Sequence, residues 1–429
     1  MKPPQASIRI AKLCSLALLL GYCSTERVVA QTGTFLDRRL PTDIRLLDYN
    51  VLENRIFTSV DPLQAEKFVR LVRAVNPDIL TLQEVNSPAA STKALLDSIV
   101  PLGGAGWYTH KARGTVIASR YPLSMLHTSI DPSSDRPPSI ALVDLPNAQY
   151  VSDFYVVNHH FQPGTAIPGP EKRQKAADST VQWINDAKTP GGFVNLPPGT
   201  PIAVVGDFNT PDIQSMLDGD VVYEDLYGPD SPPDWDGTSF VNANPTVNAL
   251  GAETYTMRFG PSKLKIDHVT YSDSALDVAH KFVLNTVEMS SADLAATGLQ
   301  RLDVTMDQGD VNYDHLPLVV DFRVFNFASS DFNFSRSVGS DDLAIWKAGV
   351  NSSGSTRAQG DANGDGRVDG QDFLIWQRQF NGAPSAASPA GGTVAVPEPG
   401  SLALIAFVGT LGLLSRRRRG RRLDFSCQD

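Results

Sequence analysis

Cysteine is almost missing from this chain of 429 residues. Its only cysteines are Cys14, Cys23 and Cys427, all near the two ends. Removal of the terminal segments, which the patterns there predict, would leave none and exclude disulfides, thiolate nucleophiles and zinc–cysteine sites. Stability would then come from a hydrophobic core, which 41% hydrophobic residues over this length can supply.

Positive charge is also scarce in the main part of the chain. Residues 31–325 contain 22 Lys and Arg against 36 Asp and Glu, a net charge of −14. Residues 201–250 contain nine acids and no Lys or Arg. Such a surface repels polyanions at long range and is not typical of proteins that coat DNA. It suits divalent cations.

Long hydrophobic runs are few, and the first lies at the N-terminal end. Residues 13–22 form an apolar run behind three basic residues, and residues 28–30 offer short side chains for cleavage. This order predicts a secretory signal peptide over residues 1–30, and the run is too short to span a membrane. A lipoprotein interpretation at Cys23 is weaker, because bulky Tyr22 stands where a small residue is expected.

The second apolar run lies at the other end of the chain. A Val-Pro-Glu-Pro box at 396–399 precedes an apolar stretch at 401–415 and four arginines at 416–419. Residues 396–429 resemble the PEP-CTERM sorting tail. The resemblance implies an exosortase partner, contact with the membrane only during sorting, and delivery to the cell surface or extracellular matrix. A plain C-terminal anchor, with its basic end in the cytoplasm, is the alternative.

The segments between these ends predict a mixed α/β domain over residues 31–325. Asp61 begins a helix at 61–75 as its N-cap, with Pro62 in the first turn, and a second amphipathic helix is predicted at 171–187. Strands are predicted at 44–50, 78–85, 115–119, 139–144, 153–158, 202–205, 266–271, 281–288 and 316–324. Many strands with few helices indicate a four-layer α/β/β/α sandwich, although the α/β class is better supported than the layer count.

A thirty-residue repeat follows this domain. "DFNFSRSVGSDDLAIWKAGV" begins at 331 and recurs as "DANGDGRVDGQDFLIWQRQF" at 361. A regular internal repeat predicts a separate small helical domain, here residues 326–381. The Ala-, Pro-, Gly- and Ser-rich residues 382–395 form a flexible linker.

The second repeat has the oxygen spacing of a Ca²⁺-binding loop. Gly366 stands at position 6, where the loop turns sharply, and Arg367 stands at position 7, where only the backbone carbonyl binds. Side-chain oxygens occur at positions 1, 3, 5, 9 and 12: Asp361, Asn363, Asp365, Asp369 and Asp372.

This repeat pair resembles a type I dockerin, because position 12 is Asp and Leu-Ile-Trp follows. The resemblance implies bound Ca²⁺ and a cohesin-like partner, although the pair could act only as a stalk. In the first copy, Ser335, Arg336 and Gly339 replace the expected Asp, Gly and Asp. That loop is expected to bind Ca²⁺ weakly or not at all.

Polar residues mark the ends of several predicted strands. They occur in the segments "LLDYNVLEN", "PDILTLQEV", "VVNHHFQP", "VVGDFNTPD", "KIDHVTYS" and "VNYDHLPLVVDF". Functional residues of open α/β sheets gather at such strand ends. In this order the segments resemble the endonuclease/exonuclease/phosphatase superfamily of metal-dependent phosphoesterases, over about residues 42–323.

Phosphoryl chemistry assigns an expected role to each of these residues. Glu84 is the expected ligand of Mg²⁺ or Mn²⁺, with Asn50 as a neutral companion. Asp207 would orient or deprotonate the attacking water, and Asn209 would hold a phosphoryl oxygen.

Two histidines and two further carboxylates complete the predicted site. His315, steered by Asp314, would be a second candidate base or a phosphate clamp. His160 would stabilise the transition state or protonate the leaving group. Asp267 would orient a histidine or complete the metal shell.

Two segments depart from the family's motifs and limit the classes of substrate that are expected. DNA-repair members carry a Tyr-x-Pro-Asn segment where this chain has residues 158–161, Asn-His-His-Phe, which makes abasic-site cleavage unexpected. Residues 111–114 lack the acidic partner that the deoxyribonuclease I branch places there. The leading interpretation is an extracellular nuclease. A phosphomonoesterase, a sphingomyelinase-like lipid phosphodiesterase and a non-catalytic surface module remain as alternatives, so the substrate is a nucleic acid, a phospholipid or a small phosphoester.

Overall fold

The computed structural model describes most of the chain between the two terminal segments. The described residues are 33–131, 134–213, 216–218, 231–259, 261–305, 313–324, 330–335, 337–355, 357–363 and 366–380. The predicted signal peptide, linker and sorting tail, and also Arg336 and Asp365, lie outside these ranges. None of the helices within them combines the length and apolar character that a membrane span needs.

Strands outnumber helices, as the sequence predicts. The strands are β1 (Ile44–Asn50), β2 (Ile79–Val85), β3 (Tyr108–Lys111), β4 (Gly114–Ser119), β5 (Leu123–His127), β6 (Ser139–Val143), β7 (Phe154–His160), β8 (Ile202–Asp207), β9 (Val241–Asn242), β10 (Met257–Phe259), β11 (Ser262–Leu264), β12 (Asp267–Tyr271), β13 (Leu276–Val283) and β14 (Leu318–Val324). The helices are α1 (Pro62–Val75), α2 (Ala89–Ile99), α3 (Gly169–Lys188), α4 (Ser291–Thr297), α5 (Ser340–Gly349) and α6 (Gly370–Gln379).

The strands form two six-stranded sheets and a short hairpin. The first sheet has the order β13-β14-β1-β2-β4-β3, and the second has the order β5-β6-β7-β8-β12-β9. Strands β10 and β11 form the hairpin. Most neighbours are antiparallel, but β1 pairs with β2 and β7 with β8 in parallel.

The sheets are buried on both faces. Along β7, Phe154 and Val156 belong to the core between the sheets, whereas Tyr155 and Val157 pack with apolar residues of α3. The rings of Phe154 and Phe322, from opposite sheets, meet edge to face with centroids 5.4 Å apart. Helices α1 and α2 cover the first sheet. These layers confirm the predicted α/β/β/α sandwich.

Several predicted boundaries agree with the structure. Helix α1 begins after Asp61, whose carboxylate accepts a hydrogen bond from the amide of Gln64 at 3.1 Å, and its apolar stripe is buried. The prediction of a strand at 281–288 was wrong at both ends, because β13 spans Leu276–Val283. A 3₁₀ turn follows at Thr286–Glu288, where the Asn285 side chain accepts from the Val287 amide. Local capping ends the strand there.

The two repeats contact each other through equivalent tryptophan side chains. Helices α5 and α6 each begin two residues before the last loop aspartate, Asp342 or Asp372. The indole of Trp346 in the first repeat donates to the Asp369 carbonyl of the second at 2.9 Å. In the same way, the indole of Trp376 in the second repeat donates to the Gly339 carbonyl of the first at 3.0 Å. The repeated tryptophans therefore join the two halves.

Candidate active site

Strand direction brings the predicted catalytic residues to one edge of the sandwich. Asn50 ends β1, and His160 and Asp207 end the parallel strands β7 and β8. Strand β12 runs antiparallel to β8, so its first residue, Asp267, pairs directly with Asp207. Strand β14 is antiparallel to β1, so His315, just before β14, reaches the same edge. The six segments thus converge because of sheet topology.

Glu84 reaches this edge through a β-bulge. The pairing of β2 with β4 shifts register between Gln83 and Val85, and the φ angle of Glu84 is +63°. A left-handed conformation is uncommon for a residue with a side chain, and here it accompanies the bulge. The bulge turns Glu84 into a cavity of about 290 Å³ that His160 also lines.

Gly206 lies where strands β7 and β8 approach each other closely. Its φ angle is +133°, and a Cβ atom there would lie 2.0 Å from the carbonyl oxygen of His159. Only glycine fits this position. The contact allows β7 and β8 to present His160 and Asp207 side by side.

Asp207 lies at the centre of the cluster. Its Oδ2 accepts a hydrogen bond from Asn50 Nδ2 at 3.1 Å and lies 3.5 Å from His160 Nε2 and 3.8 Å from His315 Nε2. Its Oδ1 accepts from the backbone amide of Asn209 at 2.9 Å. Burial raises the pKa of Asp207, although the nearby His315 opposes this effect.

The carboxylate that orients His315 is Asp267. Asp267 Oδ2 lies 2.8 Å from His315 Nδ1, so the prediction that Asp314 steers this ring was wrong. Burial alone would lower the pKa of His315, but Asp267 and Asp207 outweigh it and raise the pKa to about 10. His315 is therefore an imidazolium at neutral pH.

His160 has the opposite charge state. Burial lowers its pKa to about 4, and the charges of Arg136 and His315 act in the same direction against the attraction of Asp207. At neutral pH the ring is an uncharged imidazole beside the cationic His315. Opposed environments of this kind separate the acid from the base in a catalytic site.

Glu84, Asn209 and Asp314 complete the predicted set. Glu84 accepts from Asn50 Nδ2 at 3.3 Å and from the amide of Glu53 at 3.1 Å. Burial raises its pKa, and the charge of Asp314 adds to the effect. Among the described residues, Asp314 Oδ1 is buried without a hydrogen-bond partner. Asn209, with φ of +50°, donates from Nδ2 to the carbonyl of Phe161 at 3.1 Å.

Sequence reasoning missed a buried polar network beneath the site. Asp48 Oδ1 accepts from Thr81 and from Gln83 Nε2, each at 2.7 Å. Gln83 Nε2 also donates at 2.8 Å to Asn158, whose own amide donates to the carbonyls of Leu82 and Val116. The signal was present, since polar residues interrupt apolar strands one or two positions before Asn50, Glu84 and His160.

Asp48 is fully buried in this network. Burial, reinforced by the charge of Asp267 and opposed by the hydrogen bonds from Thr81 and Gln83, raises its pKa well above the usual range. The network crosses from the first sheet to the second. It fixes the strand ends on which the candidate catalytic residues stand.

A family model for the endonuclease/exonuclease/phosphatase family matches residues 49–331, two thirds of the chain. The chain belongs to the endonuclease/exonuclease/phosphatase family. The match includes every residue of the predicted catalytic cluster. No curated protein sequence matches this chain.

Solved structures similar to this family member share low sequence identity with it. A humanised D. rerio TDP2 is 15% identical, with 66% of this chain and 99% of that chain covered and a TM-score of 0.42. The human Nocturnin catalytic domain is 17% identical, with 66% and 95% covered and a TM-score of 0.43. ANGEL2, a 2′,3′-cyclic phosphatase, is 16% identical, with 66% and 96% covered and a TM-score of 0.42.

Two further family models match the C-terminal part of the chain. The dockerin type I model matches residues 329–381, and the PEP-CTERM protein-sorting motif matches residues 395–419. Both resemblances inferred from the sequence are thereby confirmed.

Hydrogen bonds from backbone amides to two aspartates shape the second dockerin loop. Gly366 has a φ angle of +79°, as the sharp turn requires, and its amide donates to Asp361 Oδ2 at 2.7 Å. Asp372 Oδ1 accepts from the amides of Ala362 and Asn363, while Asp372 Oδ2 accepts from the amide of Asp369. These bonds hold the loop in its turn, and Ca²⁺ binding by its side chains stays a prediction.

The first loop keeps part of this arrangement. Asp342 accepts from the amides of Phe332 and Asn333, in the way that Asp372 does in the second loop. The guanidinium of Arg357 donates to the Asp331 carbonyl and lies 5.0 Å from the centroid of the Phe334 ring. A cationic side chain thus stands beside this loop.

Proposed function

We propose that the family domain hydrolyses phosphodiester bonds with the help of a divalent cation, Mg²⁺ or Mn²⁺. The observation that carries the proposal is the position of Asp207, within 4 Å of Asn50, His160 and His315 from separate chain segments. Acid, base and amide groups at such distances can take a proton from a water nucleophile and donate hydrogen bonds to a phosphoryl group.

The donor set of the cavity fits a hard divalent cation. Glu84 presents a partly exposed carboxylate to the cavity, and burial raises its pKa. Asp314 lies close enough for its charge to act on Glu84. Asn50 donates to Glu84 from Nδ2 at 3.3 Å, so its amide would have to turn to offer its oxygen to the cation. Oxygen ligands of this kind suit Mg²⁺ or Mn²⁺, which would polarise the phosphoryl group when bound. Glu84 would be the main ligand and Asn50 its companion.

The other side chains would handle protons and phosphoryl oxygens. Asp207 would orient a water and accept its proton, since its Oδ2 lies at the centre of the cluster. His315, kept cationic by Asp267, would hold a phosphoryl oxygen rather than act as the base. Asn209 would contribute an amide donor. Neutral His160 would donate a hydrogen bond to the transition state or the leaving oxygen.

We also propose how the remaining segments serve this enzyme. The signal peptide (1–30), catalytic domain (31–325), dockerin-like pair (326–381), linker (382–395) and sorting tail (396–429) describe a protein exported to the bacterial surface or matrix. The 361–372 loop would bind Ca²⁺, with Arg367 contributing its backbone carbonyl. A cohesin-like protein would be the partner of the dockerin, and an exosortase would act on the tail.

Hydrolysis of bis(p-nitrophenyl) phosphate tests this proposal. We expect p-nitrophenol release with Mg²⁺ or Mn²⁺, loss of release with EDTA, and recovery when the cation is added back. A purified protein that releases no p-nitrophenol with either cation would favour the non-catalytic surface module instead.

A further inference from the structure

The first repeat carries a buried aromatic ring at an unusual place in its loop. Phe334 is only 3% exposed, yet among the described residues it is not part of the apolar cluster of the repeat pair, which includes Phe332, Val338 and Trp376. Its φ angle is +57°, in the left-handed region, where a bulky residue is an outlier. The second repeat has Gly364 at the equivalent position. A loop position suited to glycine thus holds a ring that is buried outside the core of its own domain.

Phe334 contacts the catalytic domain through Trp235. The two ring centroids lie 6.2 Å apart with an interplanar angle of 46°, within the range of favourable aromatic pairs. The Trp235 indole donates to the carbonyl of Thr200 at 2.7 Å, and the Lys188 ammonium lies 5.8 Å from the ring centroid. Trp235 also packs against the apolar core that α3 shares with the second sheet. The surface that Phe334 meets is therefore held in place by the catalytic domain.

A cationic side chain of the repeat lies over the same ring. Arg357 Cζ is 5.0 Å from the centroid of Phe334, and the guanidinium donates to the Asp331 carbonyl at 3.3 Å. Burial lowers the pKa of Arg357, and the charges of Asp331 and Asp342 oppose this effect. These aspartates stand at positions 1 and 12 of the first loop. Arg357 thus brings a positive charge to carboxylates that would face Ca²⁺ in a complete loop.

The contact lies at the edge of the sandwich opposite the candidate active site. Thr200, which accepts from Trp235, precedes β8, and Asp207 is the last residue of that strand. At a rise of about 3.3 Å per residue, these two residues are roughly 20 Å apart. Lys188 ends α3, which returns the chain from the end of β7 towards the start of β8. Phe334 therefore meets the catalytic domain far from the catalytic cluster.

We propose that the first repeat is an intramolecular docking element, in which Phe334 packs on Trp235 and fixes the repeat pair to the edge of the catalytic domain remote from Asp207. Domains joined by a single chain segment move relative to each other unless their interface holds them. The docking therefore fixes the orientation of the active site relative to the second repeat, which keeps the full set of calcium-loop residues. The inference goes beyond the proposed function and does not depend on hydrolysis.

Pulsed electron paramagnetic resonance, with Ca²⁺ present throughout, tests the docking. Nitroxide labels at Ala94→Cys in α2 and Ala348→Cys in α5, both at exposed positions, report the distance between the two domains. The labelled protein carries serine in place of Cys14, Cys23 and Cys427, the three natural cysteines. We expect one narrow distance distribution in this labelled parent protein.

Two variants remove the contact from opposite sides. Trp235→Ala acts in the catalytic domain, and Phe334→Gly acts in the repeat, where glycine suits the φ angle and matches Gly364. Each should replace the narrow distribution by a broad one. Phe193→Ala removes a ring that is 73% exposed on the catalytic domain and should keep the narrow distribution.

The docking is refuted by a broad distribution in the labelled parent protein, by a narrow one in either Trp235→Ala or Phe334→Gly, or by equal broadening in Phe193→Ala. Calorimetry should show the same Ca²⁺ binding in Phe334→Gly as in the parent protein, which distinguishes loss of docking from unfolding of the repeat pair. If that binding is lost, Trp235→Ala decides alone, because it leaves the sequence of the repeats untouched. Failure of the proposed function would change none of these results.

Discussion

The proton on His315 depends on two buried carboxylates. Because Asp267 and Asp207 raise its pKa to about 10, the ring keeps its charge below that pH and loses it as the pH rises through it. His160, whose pKa is lowered to about 4, gains a proton only in acid. Between these limits one histidine is cationic and the other neutral, which is the combination that the proposed mechanism uses.

We expect Asp267→Asn to move the His315 titration to lower pH by about one pH unit or more, since the main opposite charge is removed. Histidine-selective NMR of both proteins would follow the ring, with His315→Gln identifying its signal. The alkaline limb of kcat/KM should move in the same direction. A His315 titration that is unchanged in Asp267→Asn would contradict the assignment of Asp267 as the orienting carboxylate.

At the scale of strands, the polar network beneath the site joins the two sheets. Asn158 donates to two backbone carbonyls of the first sheet and accepts from Gln83. An apolar replacement would leave these buried groups without partners, which costs more than the bonds themselves contribute. The same change would also remove the hydrogen bonds that fix the strand ends on which Glu84 and His160 stand.

Asn158→Leu is therefore expected to lower the free energy of unfolding by about 2 kcal/mol or more. Activity should also fall at temperatures where the variant is still folded. Urea denaturation measures the first effect, and kcat/KM for bis(p-nitrophenyl) phosphate measures the second. Asn147→Leu, at an exposed position of the same domain, is the control and should change neither. Equal behaviour of the two variants would show that the network is dispensable.

The second calcium loop is a separate element with its own test. We expect one main Ca²⁺-binding event in the full chain, because the second loop has oxygen-bearing side chains at positions 1, 3, 5, 9 and 12 while the first loop lacks several of them. Asp361→Ala should abolish this event in calorimetry, whereas Asp331→Ala should leave it in place. If Asp361→Ala binds Ca²⁺ as the wild type does, the site has been placed wrongly.

For the whole molecule, sorting should leave a shortened chain. We expect mature protein recovered from the cell surface to start near Gln31 and to lack everything after the box at 396–399. Intact-mass spectrometry measures both ends at once. Surface protein that retains the arginines at 416–419 would contradict processing by an exosortase and favour the plain anchor.

The sequence predicted the parts of this fold that depend on local pattern. Strand ends with Asn50, Asp207 and Asp267 could be located because apolar runs stop or begin there, and sheet topology then brings them together. Helix α1 was predictable from its cap, but α2 was not, because Pro88 provides no side-chain cap and its apolar stripe is weak.

Tertiary features could not be predicted in the same way. The bulge at Glu84 exists only in the pairing of β2 with β4, and the choice of Asp267 over Asp314 as the partner of His315 depends on the meeting of two strands.

The central claim is that a cation held by Glu84 drives hydrolysis, and one comparison tests it directly. Wild type, Glu84→Gln and the control Glu66→Gln, at an exposed position of α1, would be assayed with the same Mg²⁺ on DNA, RNA, sphingomyelin and phosphomonoesters. Glu84→Gln keeps the shape of the side chain and removes its charge, so the rate should fall by about 10²-fold or more, while Glu66→Gln keeps wild-type rates. Activity of Glu84→Gln equal to wild type on every hydrolysed substrate would contradict the account.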